Sequence, residues 1–214
     1  MPKVGTVALA MTLFVILTLG ITGSLHQPIP RPEAAVVVLD AGHGGHDPGA
    51  IVGGVQEKDV VLAIALRVQS LAQWNPNLKV VLTRSTDRYV ELSTRAALPS
   101  EVGAVLYVSI HANSNPDAKL CGVETLVDTS RPATDPSFSL AAAVQDAVCR
   151  ATGATNLGVR RQSLYTRQAR VPAVLVEVGY LTCAAERSRL TTAAYQERVA
   201  QGILDGILAF LGVR

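Results

Sequence analysis

The stretch "VVVLDAGHGGHDPGA", residues 36–50, decides the fold and indicates its chemistry. Residues 34–39, "AAVVVL", are an apolar run typical of a buried strand. A loop follows at once that holds two histidines, His43 and His46, and four glycines. Glycine lets the backbone turn sharply and pass close to a ligand. We infer that one imidazole binds a metal ion whose other ligands lie far away in the sequence.

The composition limits the partners and the number of domains. A chain of 214 residues is long enough for one domain with a real core. A net charge of +2 gives no field that would attract nucleic acid. We expect the protein to be a monomer. The three cysteines fit no zinc ribbon and are too few for a disulfide framework. We interpret them as small apolar core residues, of which at least one stays unpaired.

The N-terminus predicts export across a membrane. Residues 4–25 carry no charge and are long enough to span a bilayer, or to serve as a secretory signal. The length of the run and the lack of an A-x-A cleavage site favour an uncleaved anchor. We therefore divide the chain into a signal peptide or anchor at 1–25, a Pro-rich linker at 26–33 and a catalytic domain at 34–214.

Strand patterns alternate with helix patterns along the rest of the chain. This order predicts a single α/β domain whose mainly parallel sheet is covered on both faces, with its ligand site beyond the carboxyl ends of the strands. Residues 159–166 fit either a strand or an irregular return, and the segment 122–128 looks like a strand nearer an edge. The other predicted strands are 34–39, 78–84, 103–110 and 172–180, and the helices are 57–73, 89–100 (ended by Pro99), 137–151 and 192–212.

Four polar side chains converge on that edge of the predicted sheet. His43 and His111 each follow a strand, Glu57 opens the first helix, and Glu177 lies near the end of "VLVEV". Two imidazoles and one carboxylate form a catalytic zinc shell with water in the fourth position. We expect His43, Glu57 and His111 to bind the metal. Glu177, among apolar neighbours, would have a raised pKa and act as the general base.

Each of these residues also has a simpler interpretation. His111 could be an ordinary satisfied polar residue, and Glu57 a partner of the helix dipole. Glu177 could form a structural salt bridge, and His46 could replace the first imidazole. Asp40 fits either an acceptor for the N–H of a ligand imidazole or a turn at the strand end.

A group of arginines stands out in an otherwise balanced chain. It could form a solvated face, or it could recognise carboxylates of a substrate, to which the forked guanidinium is suited. The group comprises Arg150, Arg160, Arg161, Arg167 and Arg170.

Six segments together resemble the zinc-dependent N-acetylmuramoyl-L-alanine amidases of the amidase-3 type, which are bacterial cell-wall enzymes. The resemblance covers nearly everything from Val36 to Leu211. It departs from the usual pattern at residues 156–158 and 181–183, which puts substrate contacts in doubt. The segments, in the family's order, are "LDAGHGGHDPGA", "EKDVVLAIALRV", "VVLTRSTDRYVELSTRAAL", "LYVSIHANSN", "GVETLV" and "VPAVLVEVGYLT".

The resemblance implies the fold and the reaction. The fold is a single α/β domain with a mixed, mostly parallel sheet. The reaction is cleavage of the amide between N-acetylmuramic acid and L-alanine in peptidoglycan, on the outer side of the cell membrane. The implied zinc ligands are His43, Glu57 and His111, and the implied catalytic carboxylate is Glu177. Further candidates for contacts behind the metal ligands or with substrate are Asp40, Asn113, Arg160 and Arg161.

Two other functions stay open at this point. A non-catalytic peptidoglycan-binding or regulatory protein could use the same fold, although such a protein would be expected to lose at least one of the four groups. A zinc carboxypeptidase or other peptidase would share the same metal shell, and its products would distinguish it.

Overall fold

The computed structural model describes residues 34–213. The predicted N-terminal segment, 1–25, and the linker, 26–33, lie outside this range. Within the described range, no helix combines the length and the apolar character needed to cross a bilayer.

A six-stranded mixed sheet organises the domain, which confirms the predicted α/β class. The strand order is β4-β1-β5-β8-β6-β7, and the first four of these strands run parallel to one another. β6 runs antiparallel to β8, and β7 runs parallel to β6. The strands of the sheet are β1 (Ala35–Ala41), β4 (Leu78–Leu82), β5 (Leu106–Asn113), β6 (Val123–Asp128), β7 (Asn156–Gln162) and β8 (Ala173–Tyr180), and a separate hairpin pairs β2 (Ile51–Val52) with β3 (Val55–Gln56).

Helices cover both faces of the sheet, as predicted. Three long helices pack over one face and share its main apolar cluster, whereas a shorter helix and a 3₁₀ turn at Tyr165–Gln168 cover part of the other. The helices are α1 (Glu57–Ala72), α3 (Ser137–Thr152) and α5 (Ala193–Leu211) on the first face, α2 (Leu92–Glu101) on the second, and the short α4 (Ala184–Leu190) between β8 and α5.

The alternation along β5 decides which side chains reach the functional site. Val108 and Ile110 join the core under the three long helices, whereas Tyr107 joins the smaller cluster on the opposite face. Successive side chains of a strand point to opposite faces, so Ser109 and His111 share the face of Tyr107. That face carries the smaller apolar cluster.

The segment predicted to lie nearer an edge, β6, is second from one edge of the sheet, between β8 and β7. One further prediction is wrong, and one alternative is decided. Pro99 lies inside α2 and does not end it, because the helix continues to Glu101. The ambiguous segment 159–166 divides into the end of β7 and the start of the 3₁₀ turn.

The interpretation of the cysteines was right for Cys149, which is unpaired and packs against the core, and wrong for the other two. Cys121 and Cys183 form a disulfide with their Cα atoms 5.6 Å apart, and among residues 34–213 only Cys149 is free. The bond joins the loop before β6 to the residue before α4, across a sequence separation of 62. Both loops border the edge at which β8 ends, so the bond ties together two segments beside the predicted site.

The disulfide gives a first testable prediction. Replacing Cys121 and Cys183 by serine should lower the free energy of unfolding by up to about 4 kcal/mol, because the bond closes a long loop in the unfolded chain. Urea unfolding of the oxidised protein measures this difference. Cys149→Ser serves as the matched control and should unfold close to the wild type. Equal midpoints for the double variant and the wild type would contradict the prediction.

Candidate metal centre

The structure brings together the three predicted ligands. His43 follows β1, Glu57 is the first residue of α1, and His111 lies near the end of β5. Their ligand atoms all lie within 4.8 Å of one another. Oε1 of Glu57 is 3.2 Å from Nε2 of His43 and 2.9 Å from Nδ1 of His111. One ion can therefore contact all three side chains.

The spacing and the donor set fit a tetrahedral divalent cation. Ligands that each lie about 2.0–2.1 Å from a zinc ion at tetrahedral angles are about 3.3 Å apart. The two distances at Glu57 are close to that value. Two imidazole nitrogens and one carboxylate oxygen are also the donors that catalytic zinc sites use, with a fourth position left for water or substrate.

The surroundings of Glu57 favour the ionised form of its carboxyl group. Burial alone would raise the pKa of Glu57, but hydrogen bonds from His111 and His43 outweigh it and lower the pKa. The backbone N–H groups of Ala50 and Ala112 donate to its two oxygens at 3.0 and 3.1 Å. The carboxylate is thus ionised and held in one orientation.

Asp47 orients the first imidazole. Its Oδ2 lies 2.8 Å from Nδ1 of His43, which leaves Nε2 to face Glu57. Its Oδ1 accepts from the N–H of Gly49 at 3.1 Å, which closes the predicted turn. The turn was predicted from the sequence, but the contact with the imidazole was not. The i,i+4 spacing of His43 and Asp47 was the only signal for it.

Asp40 has neither of the two roles considered for it, and it lies within β1. It contacts no imidazole and lies fully buried beneath the loop. Burial alone would raise the pKa of Asp40, but the Arg95 guanidinium and neighbouring hydroxyls outweigh that effect and lower it. Five side chains bond to its two oxygens at 2.5 to 3.0 Å: Thr83, Arg95, Tyr107, Ser109 and Tyr165.

Two buried arginines fix the turn that carries the first imidazole. Arg95, paired with Asp40 at 2.6 Å, donates to the carbonyl oxygen of His43 at 2.6 Å. Arg84 donates to the carbonyl oxygen of Gly42 at 2.7 Å. His43 has a φ of 58°, which a non-glycine residue rarely adopts without support from its surroundings. We infer that Asp40 acts on His43 through Arg95.

Glycine is required where the loop passes the ligand side chains. A Cβ on Gly42 would lie 2.4 Å from the ring of His111. A Cβ on Gly49, which has a φ of 65°, would lie 2.6 Å from Oε2 of Glu57 and 2.7 Å from the ring of His43. A side chain at either position would clash with a ligand residue, which requires glycine there in addition to any need for a turn.

Glu177 lies beside the three ligands. It pairs in register with His111 on the neighbouring strand, and its half-buried side chain has no ion pair within residues 34–213. Its Oε2 is buried without a hydrogen-bond partner among those residues. Burial raises the pKa of Glu177, and the carboxylates of Glu57 and Glu124 raise it further. The alternative of a structural salt bridge therefore finds no partner in the described part of the chain.

His46 does not join this cluster. Its ring lies against Tyr89, with the two ring centroids 4.2 Å apart. The described residues that could share one ion comprise His43, Glu57 and His111, so His46 does not replace the first imidazole.

The remaining candidates divide into two groups. Asn113 donates to Oε1 of Glu124 at 2.9 Å, and Nε of Arg160 lies 3.1 Å from Oε2 of the same carboxylate. Arg161 instead donates to two backbone carbonyl oxygens, those of Thr129 and Arg131. Glu124 was not among the predicted site residues, and it lies beside Glu177 because β6 runs antiparallel to β8.

Comparison with known sequences agrees with this geometry. Residues 37–209 match the family described as N-acetylmuramoyl-L-alanine amidase. The chain is 36% identical over 175 residues to N-acetylmuramoyl-L-alanine amidase LytC of Bacillus subtilis. That alignment covers 81% of this chain but only 35% of LytC, so the chain spans about a third of that relative.

Solved structures share the fold. The catalytic domain of CwlV, an N-acetylmuramoyl-L-alanine amidase from Bacillus (Paenibacillus) polymyxa, superposes with a TM-score of 0.79 at 42% identity, covering 84% of this chain and 99% of that one. N-acetylmuramoyl-L-alanine amidase from Clostridium difficile 630 gives a TM-score of 0.81 at 32% identity, with 85% and 98% covered.

The pair of Asp40 and Arg95 generates a second prediction. Asp40→Asn should lower the free energy of unfolding by roughly 3–5 kcal/mol at neutral pH, because it leaves a buried guanidinium without its counter-charge. Urea unfolding measures the loss. Glu101→Gln, which removes an exposed carboxylate, is the control and should change stability little.

The lowered pKa of Asp40 sets the pH dependence of that loss. The folded state favours the ionised carboxylate. Its contribution to the free energy of unfolding is therefore complete above the ordinary pKa of about 3.9, and it disappears as the pH falls through the lower pKa of the folded state. The stability difference between wild type and Asp40→Asn should stay constant above about pH 5 and shrink below about pH 4. A difference that grows towards acid would contradict the assignment.

Proposed function

This chain belongs to the N-acetylmuramoyl-L-alanine amidase family, and we propose from this premise that it is a zinc-dependent peptidoglycan hydrolase. The bond cleaved is the amide between N-acetylmuramic acid and L-alanine. The observation that supports this proposal most directly is the meeting of His43, Glu57 and His111 beside Glu177.

The metal would be held by the two imidazoles and the carboxylate of Glu57. Zinc bound there supplies Lewis acidity, which polarises the amide carbonyl and makes water a better nucleophile at neutral pH. The ionised Glu57 attracts the cation, and Asp47 keeps Nε2 of His43 directed toward Glu57. The buried arginines behind the loop keep the first ligand in place before the metal binds.

Glu177 would move the proton. Its carboxylate removes a proton from the attacking water as the new C–O bond forms, and it donates that proton to the alanine nitrogen as the C–N bond breaks. The side chain has a free oxygen for this work, because Oε2 has no partner among residues 34–213. Its raised pKa lets the carboxyl group hold the proton between the two steps.

We assign the reaction to the outer side of the cell membrane. The uncharged run at 4–25 would direct export and either anchor the chain or be removed. The bond between Cys121 and Cys183 suits an oxidising compartment, because disulfides are rare in reducing cytosol. The substrate there is the peptidoglycan wall.

Metal removal gives a third prediction. The purified protein should contain one zinc ion per chain and release L-alanine-terminated peptides from muropeptides, and complete chelation should abolish the release until zinc is restored. His111→Ala should lose both metal and activity, whereas the matched variant His46→Ala should keep both. Metal analysis and mass spectrometry of the products measure these outcomes. Full turnover by metal-free protein would contradict zinc dependence.

The role of Glu177 gives a fourth prediction. Glu177→Gln should retain zinc and lose turnover by roughly 10²- to 10⁴-fold, the range that a general acid–base group contributes. Glu91→Gln, an exposed glutamate outside the site, is the control. Unimpaired turnover by Glu177→Gln would contradict the assignment of Glu177 as the general base. Release of single amino acids from the wild type would instead indicate a peptidase, and binding without any cleavage would indicate a wall-binding protein.

A further inference from the structure

A row of polar side chains leads from the metal centre to the edge of the sheet. His111 on β5 pairs in register with Glu177 on β8, which pairs with Glu124 on β6. Arg160, on the edge strand β7, reaches back to Glu124 with 3.1 Å between Nε and Oε2. Strands of one sheet lie about 4.8 Å apart, so the backbone of β7 is about 10 Å from that of β8.

Arg160 presents a guanidinium that is only partly occupied. Its side chain is 58% exposed. Its Nε faces Glu124 and lies 3.4 Å from the carbonyl oxygen of Leu157. Within residues 34–213, its two terminal nitrogens form no hydrogen bond with the protein. Two parallel N–H groups in this arrangement match the two oxygens of a carboxylate.

Two other arginines of the predicted group differ from Arg160, one in its contacts and one in its position. Arg161 donates to the carbonyl oxygens of Thr129 and Arg131 and lies over the ring of Phe138. Arg167 lies in the 3₁₀ turn that precedes β8, whereas the metal centre lies beyond the strand's other end. Arg160 therefore differs from both, because it extends the row that begins at the metal centre.

Glu124 holds this guanidinium in position. The carboxylate of Glu124 is buried, and its Oε1 accepts from the hydroxyl of Tyr180 at 2.6 Å and from the amide of Asn113 at 2.9 Å. A carboxylate fixed by two neutral donors has one oxygen left, and Arg160 occupies it. A surface arginine would otherwise sample many rotamers, so this contact reduces the entropy lost when a ligand binds.

We propose that Arg160 binds a carboxylate on the peptide side of the substrate, and that Glu124 is its positioning residue. This inference rests on the proposed amidase function. On the acyl side of the scissile bond, the carboxyl group is already part of the amide and is not free. A free carboxylate near the bond therefore belongs to the peptide. A carboxylate on the second residue of an extended peptide lies within roughly 7 Å of the scissile nitrogen. The site thus selects stem peptides that are anionic at their second residue.

The test compares two soluble muropeptides that differ only at that residue, one with a free carboxylate and one with the carboxamide. The zinc-loaded wild type should prefer the carboxylate in kcat/KM by roughly 10- to 100-fold, the range for hydrogen bonds to a charged group. Arg160→Gln should bring this ratio close to 1, mainly by raising KM for the anionic substrate. Arg160→Lys should retain part of the preference.

Two further variants separate recognition from structure. Arg167→Gln removes an exposed arginine away from the row and should keep the wild-type ratio. Glu124→Gln should raise KM for the anionic substrate more than for the neutral one. An equal loss of kcat on both substrates would instead indicate a purely structural role and overturn the positioning assignment.

The outcomes distinguish this inference from the function on which it rests. Cleavage of both muropeptides by the wild type without discrimination would overturn the assignment of Arg160 and leave the amidase function intact. A preference for the carboxylate that survives in Arg160→Gln would also overturn the assignment of Arg160 and leave the amidase function intact. Cleavage of neither substrate by zinc-loaded wild type would overturn the amidase function, and the role of Arg160 with it.

Discussion

The buried carboxylate of Asp40 ties the end of β1 to the neighbouring strands and to α2. A charge without partners in such a place would cost several kcal/mol, but here five side chains bond to it. One of them, Arg95, extends the connection to the carbonyl oxygen of His43. The strained backbone of His43 is therefore held by a network that is fully hydrogen-bonded, and the geometry of the metal centre depends on it.

The remaining groups meet through the topology of the sheet. Parallel strands end at the same edge, so His43 after β1 and His111 on β5 arrive side by side although they are distant in sequence. The hydrogen bond from the N–H of Glu57 to Ala50 brings the start of α1 to the same place. From His111, a row of polar side chains runs across the sheet through Glu177 and Glu124 to Arg160. In the function proposed above, the metal ligand His111, the proton acceptor Glu177 and the carboxylate-binding Arg160 would thus lie on β5, β8 and β7 of one sheet.

Sequence patterns were sufficient to predict the fold class and to place four polar groups at one edge of the sheet. Each of these groups lies at the start or near the end of a strand or helix with a clear hydrophobic period. They failed where the direction of a side chain or a strand decides the contact. Asp47, and not Asp40, meets the imidazole because the turn redirects the chain. Glu124 joins the site because β6 runs antiparallel to β8. The pairing of Cys121 with Cys183 needs the distance between two loops, which spacing along the chain does not contain.

The proposed function depends on one ion that is shared by His43, Glu57 and His111. Crystals of the protein grown with zinc, measured on both sides of the zinc absorption edge, test it directly through the anomalous difference map. We expect one strong peak about 2.0–2.2 Å from Nε2 of His43, Oε1 of Glu57 and Nδ1 of His111. A peak at other residues, or no peak in protein that carries one zinc per chain, would contradict it.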